Sequence, residues 1–137
     1  MPTINQADAF VQAARTRLLT VASLPADRLW QNQRGQPTSG VVFVEDQMMR
    51  WDTESLEFGS SGLTADIEYG VAINVPIGQD IQTGVSQCHD VLAAFRASPL
   101  TVNGEAAELL QSRADPPREN GGWLALLVSL TFYHFYH

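Results

Sequence analysis

The alternation of apolar and polar residues is sharpest between Ala65 and Val75, where the sequence reads ADIEYGVAINV. The odd-numbered positions are apolar, and the even-numbered positions are polar or small. A period of two predicts a β-strand with one buried face and one wetter face. Pro76 and Gly78 end this strand, because proline offers no N–H to a neighbouring strand and glycine permits a turn.

A helix is predicted directly after this strand. Asp80 or Thr83 can cap its first turn. The apolar residues fall within one arc at about 100° per residue, and they are Val85, Cys88, Val91, Leu92 and Phe95. The strand and the helix each have one apolar face, so folding one on the other would bury both.

An earlier helix is predicted from Asn5 to Ala22. Thr3, with Gln6 three residues later, matches a capping box. The buried stripe comprises Phe10, Val11, Ala14, Leu18 and Val21, and the polar side opposite comprises Asp8, Gln12 and Arg15. Leu19 lies outside the stripe, which fits a stray exposed leucine or a subunit contact. Pro25 ends the helix.

Two segments are apolar on both faces. Val41–Val44 predicts a strand covered on both sides, after a short strand at Arg28–Gln31. Trp123–Tyr136 predicts a long final strand with Leu124, Leu126, Val128, Leu130 and Phe132 on one face and Leu127, Tyr133 and Phe135 on the other. Such a strand belongs in the middle of a sheet or has one face against another subunit.

The polar stretches between these elements predict turns and loops. Asn103-Gly104 lies between two short apolar segments and predicts a β-hairpin from Leu100 to Leu110. Arg113–Gly122 is polar, contains four Pro and Gly residues, and is predicted to be a loop.

Residues 45–62 predict an acidic loop or a long protruding hairpin. The carboxylates are Glu45, Asp46, Asp52, Glu54 and Glu57. Arg50, Trp51, Leu56 and Phe58 lie between them, and aromatic residues in such a segment can anchor a partner. A solvated surface loop is the alternative.

These elements predict an α+β fold, with a mainly antiparallel β-sheet and two α-helices packed on one face. The 137 residues suit a single domain, residues 1–137.

Charge and cysteine content narrow the function. The formal net charge is −7, and the eight basic residues are all arginine and scattered, so specific nucleic-acid binding is not expected. The single cysteine, Cys88, can form no intrachain disulfide and is predicted to be a buried, inert thiol. We see no signal peptide and no apolar run near the ~20 residues that span a bilayer, so a soluble protein made in a cytoplasm is expected.

No catalytic or metal-binding pattern is evident. Nucleotide-binding, hydrolase and zinc-protease motifs are missing, and the carboxylates of residues 45–57 lack the spacing of a calcium loop. His134 and His137 would point to opposite faces of a strand, so a frayed aromatic terminus is the preferred interpretation. His89 is interpreted as a helix-flank residue. We therefore expect no enzyme, no cofactor and no metal.

The layout resembles the small tail-terminator proteins of long-tailed bacteriophages, also called tail-completion or minor tail proteins. The resemblance covers nearly the whole chain. It rests on the order of elements: the N-terminal helix with its Leu-Pro stop, the segment ending near Trp30, the strand before a variable loop, and Gly62 leading into the central strand. Pro76-Ile77-Gly78, the second helix, the hairpin and Gly121-Gly122-Trp123 follow.

The resemblance implies a late structural protein of the virion, assembled in the host cytoplasm. It implies a ring, usually of six copies, that caps the head-proximal end of the tail tube. Such a ring ends tube polymerisation and joins the tail to the head–neck connector. Its partners would be further copies of the chain, the major tail tube protein and the connector. Genomic DNA would pass through the lumen without specific binding, and we expect no membrane partner.

A closed ring needs a heterologous interface, and hence apolar surface that the folded monomer leaves uncovered. The second faces of residues 41–44 and 123–136 could supply it. Candidate interface residues are Leu19, Arg50, Trp51, Asp52, Leu56, Phe58, Tyr133 and Phe135. Six copies at −7 each would carry a formal charge of about −42, which predicts an acidic bore that repels DNA phosphates.

Two alternatives remain at this point. One is another neck or head-completion protein, and the other is a small-ligand binding module or enzyme on the same scaffold.

Overall fold

The computed structural model describes residues 2–31, 36–55 and 63–136. Its elements are α1 (Pro2–Leu18), β1 (Asp27–Leu29), β2 (Phe43–Ser55), β3 (Leu63–Pro76), α2 (Gln82–Arg96), β4 (Leu100–Val102), β5 (Glu105–Ala114), β6 (Arg118–Asn120) and β7 (Trp123–Tyr136).

The strands form a single sheet in the order β1-β2-β3-β7-β5-β4, and β6 pairs with β7 beside that path. Only the β1–β2 pair is parallel. β3 and β7 pair along their whole length, from Leu63 opposite Tyr136 to Pro76 opposite Trp123. The final strand therefore lies in the middle of the sheet, as its two apolar faces predicted.

Both helices pack on the same face of this sheet, which we call the helix face. Its core contains the odd-numbered residues of β3 and the even-numbered residues of β7, because opposite partners in the ladder share a face. Phe10 of α1 and Phe95 of α2 both make edge-type or tilted ring contacts with Tyr69 and Phe132. The predicted α+β fold and the predicted buried face of Ala65–Val75 are confirmed.

Local turn chemistry explains two connections. Asn103 and Gly104 have φ angles of +51° and +81°, the left-handed pair that a type I′ hairpin needs, so the predicted β4–β5 hairpin is confirmed. Before α2, Asp80 Oδ1 accepts a hydrogen bond from the N–H of Gln82 at 2.9 Å. The N-cap residue itself is Ile81, which has no side-chain cap bond, so neither Asp80 nor Thr83 occupies the predicted capping position.

Helix α2 lies very close to the sheet at Gly84. A Cβ atom there would stand 2.8 Å from both Val75 Cγ2 and Leu126 Cδ1. The missing side chain lets the helix bring Cys88, Val91, Leu92 and Phe95 into the core, where they are buried. Val85 was predicted to belong to the same buried arc, but it is exposed, so that assignment is wrong.

Several predicted boundaries also need correction. Helix α1 runs from Pro2 to Leu18 rather than to Ala22, and turns cover the residues before Pro25. Val41 and Val42 precede β2 instead of opening a doubly covered strand, and Val41 is exposed. Residues 113–122, predicted as a loop, contain the end of β5 and the short strand β6.

His134 is not part of a frayed terminus. It is fully buried on the helix face, and its Nδ1 lies 3.0 Å from the carbonyl oxygen of Ala106. The pairing of β7 with β5 at this point holds the ring inside the fold, with His134 opposite Ala107. His137 lies outside the described residues.

Candidate interaction surface

The face of the sheet opposite the helices, which we call the open face, carries no helix. Its residues lie in rows across the strands from β2 through β3 and β7 to β5. One row is acidic apart from a tyrosine, and comprises Asp52, Asp66, Tyr133 and Glu108. The next comprises Arg50, Glu68, Thr131 and Gln111, and the one after it comprises Gln47, Gly70, Ser129 and Arg113. These three rows are polar and carry charges of both signs, whereas the rows nearer Pro76 on the same face include Phe43, Ala72, Leu127 and Trp123.

A bulge in β2 decides which of its residues reach this face. The register of β2 against β3 shifts between Met48 and Arg50. Before the bulge, Asp46 and Met48 lie on the helix face opposite Val71 and Tyr69. After it, Arg50 and Asp52 lie on the open face and Trp51 turns towards the helices.

The eight predicted interface residues therefore do not form one patch. Arg50, Asp52 and Tyr133 share the open face, and Arg50 Nε lies 3.4 Å from Asp52 Oδ2. Tyr133 is 39% exposed. Leu19 follows α1 on the other side of the sheet and is 52% exposed.

Trp51 is not a free anchor. Its ring is half-buried and meets Phe10 of α1 edge-on, at a centroid distance of 6.1 Å. Leu56 and Phe58 lie outside the described residues, and so does the Phe135 side chain. The long hairpin proposed for residues 45–62 is found where the chain is described, since β2 and β3 pair from Phe43 opposite Asn74 to Ser55 opposite Leu63.

The apolar surface expected on the second faces of residues 41–44 and 123–136 does not form one continuous exposed patch among the described residues. Among described residues, the large apolar side chains that are exposed lie on separate elements, and they are Leu19, Val41, Ile77, Val85, Leu110 and Tyr133. Isolated residues of this kind are normal on a protein surface. Any contact made by these three polar rows must therefore depend largely on polar groups.

A buried polar cluster was missed by sequence reasoning. The carboxylate of Asp46, which is 4% exposed, accepts hydrogen bonds from Arg15 at 2.7 and 3.1 Å, from Tyr69 Oη at 2.6 Å and from the N–H of Gln31 at 2.9 Å. The Arg15 guanidinium also lies 5.2 Å from the centre of the Trp30 ring. Arg15, assigned to the exposed side of α1, is therefore partly buried and paired.

The sequence does hold one sign of this cluster. Asp46 is two residues from both Val44 and Met48, so the three side chains point to the same face of a strand. Continuing the strand pattern beyond Val44 therefore places a carboxylate among inward-facing residues. The cluster has a structural role, because Arg15, Tyr69 and the N–H of Gln31 all donate to the same carboxylate. Burial, together with the Asp46 charge, raises the pKa of Tyr69 far above its ordinary value. A phenol held protonated and out of water is not a ready acid or base.

The crevice beside α2 offers little room for a ligand. It is lined by Cys88, His89 and Leu126 among others and has a volume of about 100 Å³, well below the ~300 Å³ at which ligand pockets begin. Burial raises the pKa of the Cys88 thiol to about 11, so the thiol is protonated at neutral pH and is a poor nucleophile. His89 is exposed on the helix flank, as predicted.

Two searches of the described residues give negative results. Neither helix has the length and apolarity that a bilayer-spanning segment needs. No group of three or more His, Cys, Asp or Glu side chains is arranged to hold a metal ion within the described ranges.

Comparison with known proteins identifies the family. A sequence model of the phage tail terminator protein family matches residues 9–132. No functionally curated protein matches the chain. A solved protein structure superposes with a TM-score of 0.67 at 18% sequence identity over 96% of both chains, and this likeness supports the fold alone. The family match spans both helices and most of the sheet, so the chain belongs to the phage tail terminator family.

Proposed function

We propose that copies of this chain form a ring, with six copies as the expected number, that caps the head-proximal end of a phage tail tube. The ring stops addition of tube subunits and joins the tail to the head–neck connector. The observation that carries this proposal is the family match over residues 9–132, on a fold whose sheet has one face without helices.

A ring needs two different patches on each subunit, because its contacts are heterologous. The open face, with Arg50, Asp52 and Tyr133, is the proposed first patch. The helix side near Leu19, whose side chain is 52% exposed, is a candidate for the second. The net charge of −7 per copy favours a bore that repels DNA, so the genome passes through without specific binding.

The protein acts as a structural component of the virion in this proposal, assembled in the host cytoplasm, without catalysis. Family membership supports this, since tail terminators are structural proteins. The protonated Cys88 thiol and the fully bonded Asp46 cluster also support it, because neither offers an activated group.

The decisive experiment mixes purified protein with tail tubes of the same phage that lack the terminator. Electron microscopy should find a ring at one end of each tube, and tubes grown in its presence should not exceed natural length. Native mass spectrometry of the free protein should give a multiple of 15.0 kDa, with six copies expected. Tubes that bind no protein and grow without limit would contradict the proposal, whereas binding to heads instead would favour a head-completion protein.

A further inference from the structure

A polar depression lies on the open face of the sheet. Its volume is about 200 Å³, and it is lined by Arg50, Glu68, Gln111, Arg113, Ser129 and Thr131. The rows described above explain why these residues meet, since they come from four adjacent strands at two neighbouring register positions.

Ser129 is the unusual member of this set. It is only 5% exposed, and its Oγ has no hydrogen-bond partner among the described residues. A buried hydroxyl without a partner is costly, because the bond to water lost on folding is not replaced. Ser129 lies opposite both Gly70 and Arg113, so an acceptor entering beside Arg113 could satisfy it.

The two arginines of the depression have capacity for another partner. Arg113 Nε lies 3.0 Å from Asp115 Oδ1, and Arg50 Nε lies 3.4 Å from Asp52 Oδ2. Both pairs are exposed, and exposed ion pairs are weak. Each pair is made through Nε, whereas a guanidinium has five N–H donors in a planar fork that suits a carboxylate.

Other arginines are held by their own fold. Arg15 is bound to Asp46, Arg17 donates to the carbonyl oxygens of Ala94 and Ser98, and Arg96 donates to Ser112 Oγ. Copies of a chain with 15 acidic and 8 basic residues repel each other, unless the contact pairs a cationic site with carboxylates. The depression brings two of the few arginines together beside a hydroxyl that needs a partner.

We infer that this depression binds an acidic side chain of a neighbouring copy of the chain and so forms one half of the contact between subunits. The Arg50 and Arg113 guanidiniums and the Ser129 and Thr131 hydroxyls donate to the incoming carboxylate. Glu68 also lines the depression, so the two arginines offset its charge as well as that of the incoming carboxylate. The inference depends on the proposed ring and names the residues of its interface.

The test measures self-association by sedimentation velocity over a wide range of protein concentration. Arg113→Glu should raise the dissociation constant of the assembly at least tenfold, and Arg113→Gln should give a smaller rise without adding a negative charge. Ser129→Ala removes the hydroxyl and adds no bulk at this buried position, so it should weaken assembly several-fold while the monomer stays as stable as the wild type. Circular dichroism verifies that each variant is folded.

Arg28→Glu is the matched control. Arg28 is exposed and lies on β1 opposite Val44, whose side chain is on the helix face. Its substitution changes the net charge by the same amount as Arg113→Glu, but at a site away from the open face. Its dissociation constant should stay within about twofold of the wild type.

A complementation experiment identifies the occupant. Exposed carboxylates away from the depression, such as Asp80, Asp90 and Glu119, are replaced by arginine one at a time and mixed with Arg113→Glu. Restored assembly with one of them identifies the docked side chain. If none of these variants restores assembly, none of the replaced carboxylates is the occupant of the depression, and the inference fails for those positions.

The outcomes separate the two proposals. A wild-type ring that Arg113→Glu, Arg113→Gln and Ser129→Ala leave unchanged would overturn this inference while the ring stands. A wild type that remains monomeric at every concentration and on tail tubes would overturn both. If Arg113→Glu instead abolishes binding of a DNA duplex and leaves assembly intact, the depression binds phosphate and the subunit contact lies elsewhere.

Discussion

At the scale of single residues, the Asp46 carboxylate of β2 connects three other parts of the chain. Its carboxylate joins α1 through Arg15, β3 through Tyr69 and the segment after β1 through Gln31. A buried charge of this kind is tolerable only because donors surround it. The bond to Asp46 correspondingly raises the pKa of Arg15.

Replacing Asp46 with alanine should lower the free energy of unfolding by about 3–5 kcal/mol, because Arg15 and Tyr69 would lose their partner inside the fold. Urea denaturation followed by circular dichroism measures this loss. Asp52→Ala is the control on the same strand. Its exposed carboxylate should contribute no more than about 1 kcal/mol. Equal losses in the two variants would argue against the structural role of the cluster.

Cys88 gives a prediction about pH. Burial raises the thiol pKa from 9.0 to about 11, so above pH 9 the unfolded chain loses a proton that the folded chain keeps. The full contribution of the Cys88 thiol to the free energy of unfolding is present below pH 9. About 2–3 kcal/mol of it is lost as the pH rises from 9 to 11. The wild type should therefore lose more stability over this range than Cys88→Ala, which retains every other titrating group. Parallel pH profiles for the two proteins would contradict the assignment.

At the scale of elements, β-bulges decide what the strands present to each face. In β2 the shift between Met48 and Arg50 reverses the alternation, and in β5 a shift between Leu109 and Gln111 leaves Leu110 62% exposed. A bulge inserts one residue without changing the composition of the strand. The periodicity of apolar residues along the sequence therefore does not reveal a bulge. For this reason Trp51 was assigned to a peripheral segment.

Trp51→Ala should destabilise the monomer by about 2 kcal/mol, because the half-buried ring packs on Phe10. Thermal and urea unfolding measure the effect. Leu19→Ala, at a 52% exposed position, should change stability by no more than about 0.5 kcal/mol. An unaltered midpoint for Trp51→Ala would mean that the ring contact contributes nothing.

At the scale of the whole molecule, the sheet divides the protein into a core side and a contact side. Tyr69, Phe10, Phe95 and Phe132 fill the core side, and charged rows cover the other. The 15 acidic and 8 basic residues give the molecule as a whole a net negative charge.

Duplex DNA should not bind the protein even at low ionic strength, because few free cations face a strongly negative polymer. A gel-shift or fluorescence anisotropy titration at about 50 mM salt tests this. The expected result is unchanged mobility up to high micromolar protein. A shift that disappears on raising the salt concentration would contradict the neutral passage of DNA proposed for the lumen.

The sequence alone determined the local structure and the fold class. Alternation over Ala65–Val75 and the Asn103-Gly104 turn each depend on neighbours in the chain, and both predictions were confirmed. The expected place of Trp123–Tyr136 in the middle of the sheet was confirmed as well. The order of these elements was also sufficient to indicate the family that the comparison with known proteins then established.

Only the tertiary structure decided which polar residues are buried and which share a surface. Asp46 and Arg15 are 31 positions apart, and the residues around Ser129 come from four strands, so no spacing in the sequence brings them together. Local periodicity reports which side of an element is apolar. The partner of a buried charge or hydroxyl depends on strand order, register and bulges, which are fixed by long-range pairing.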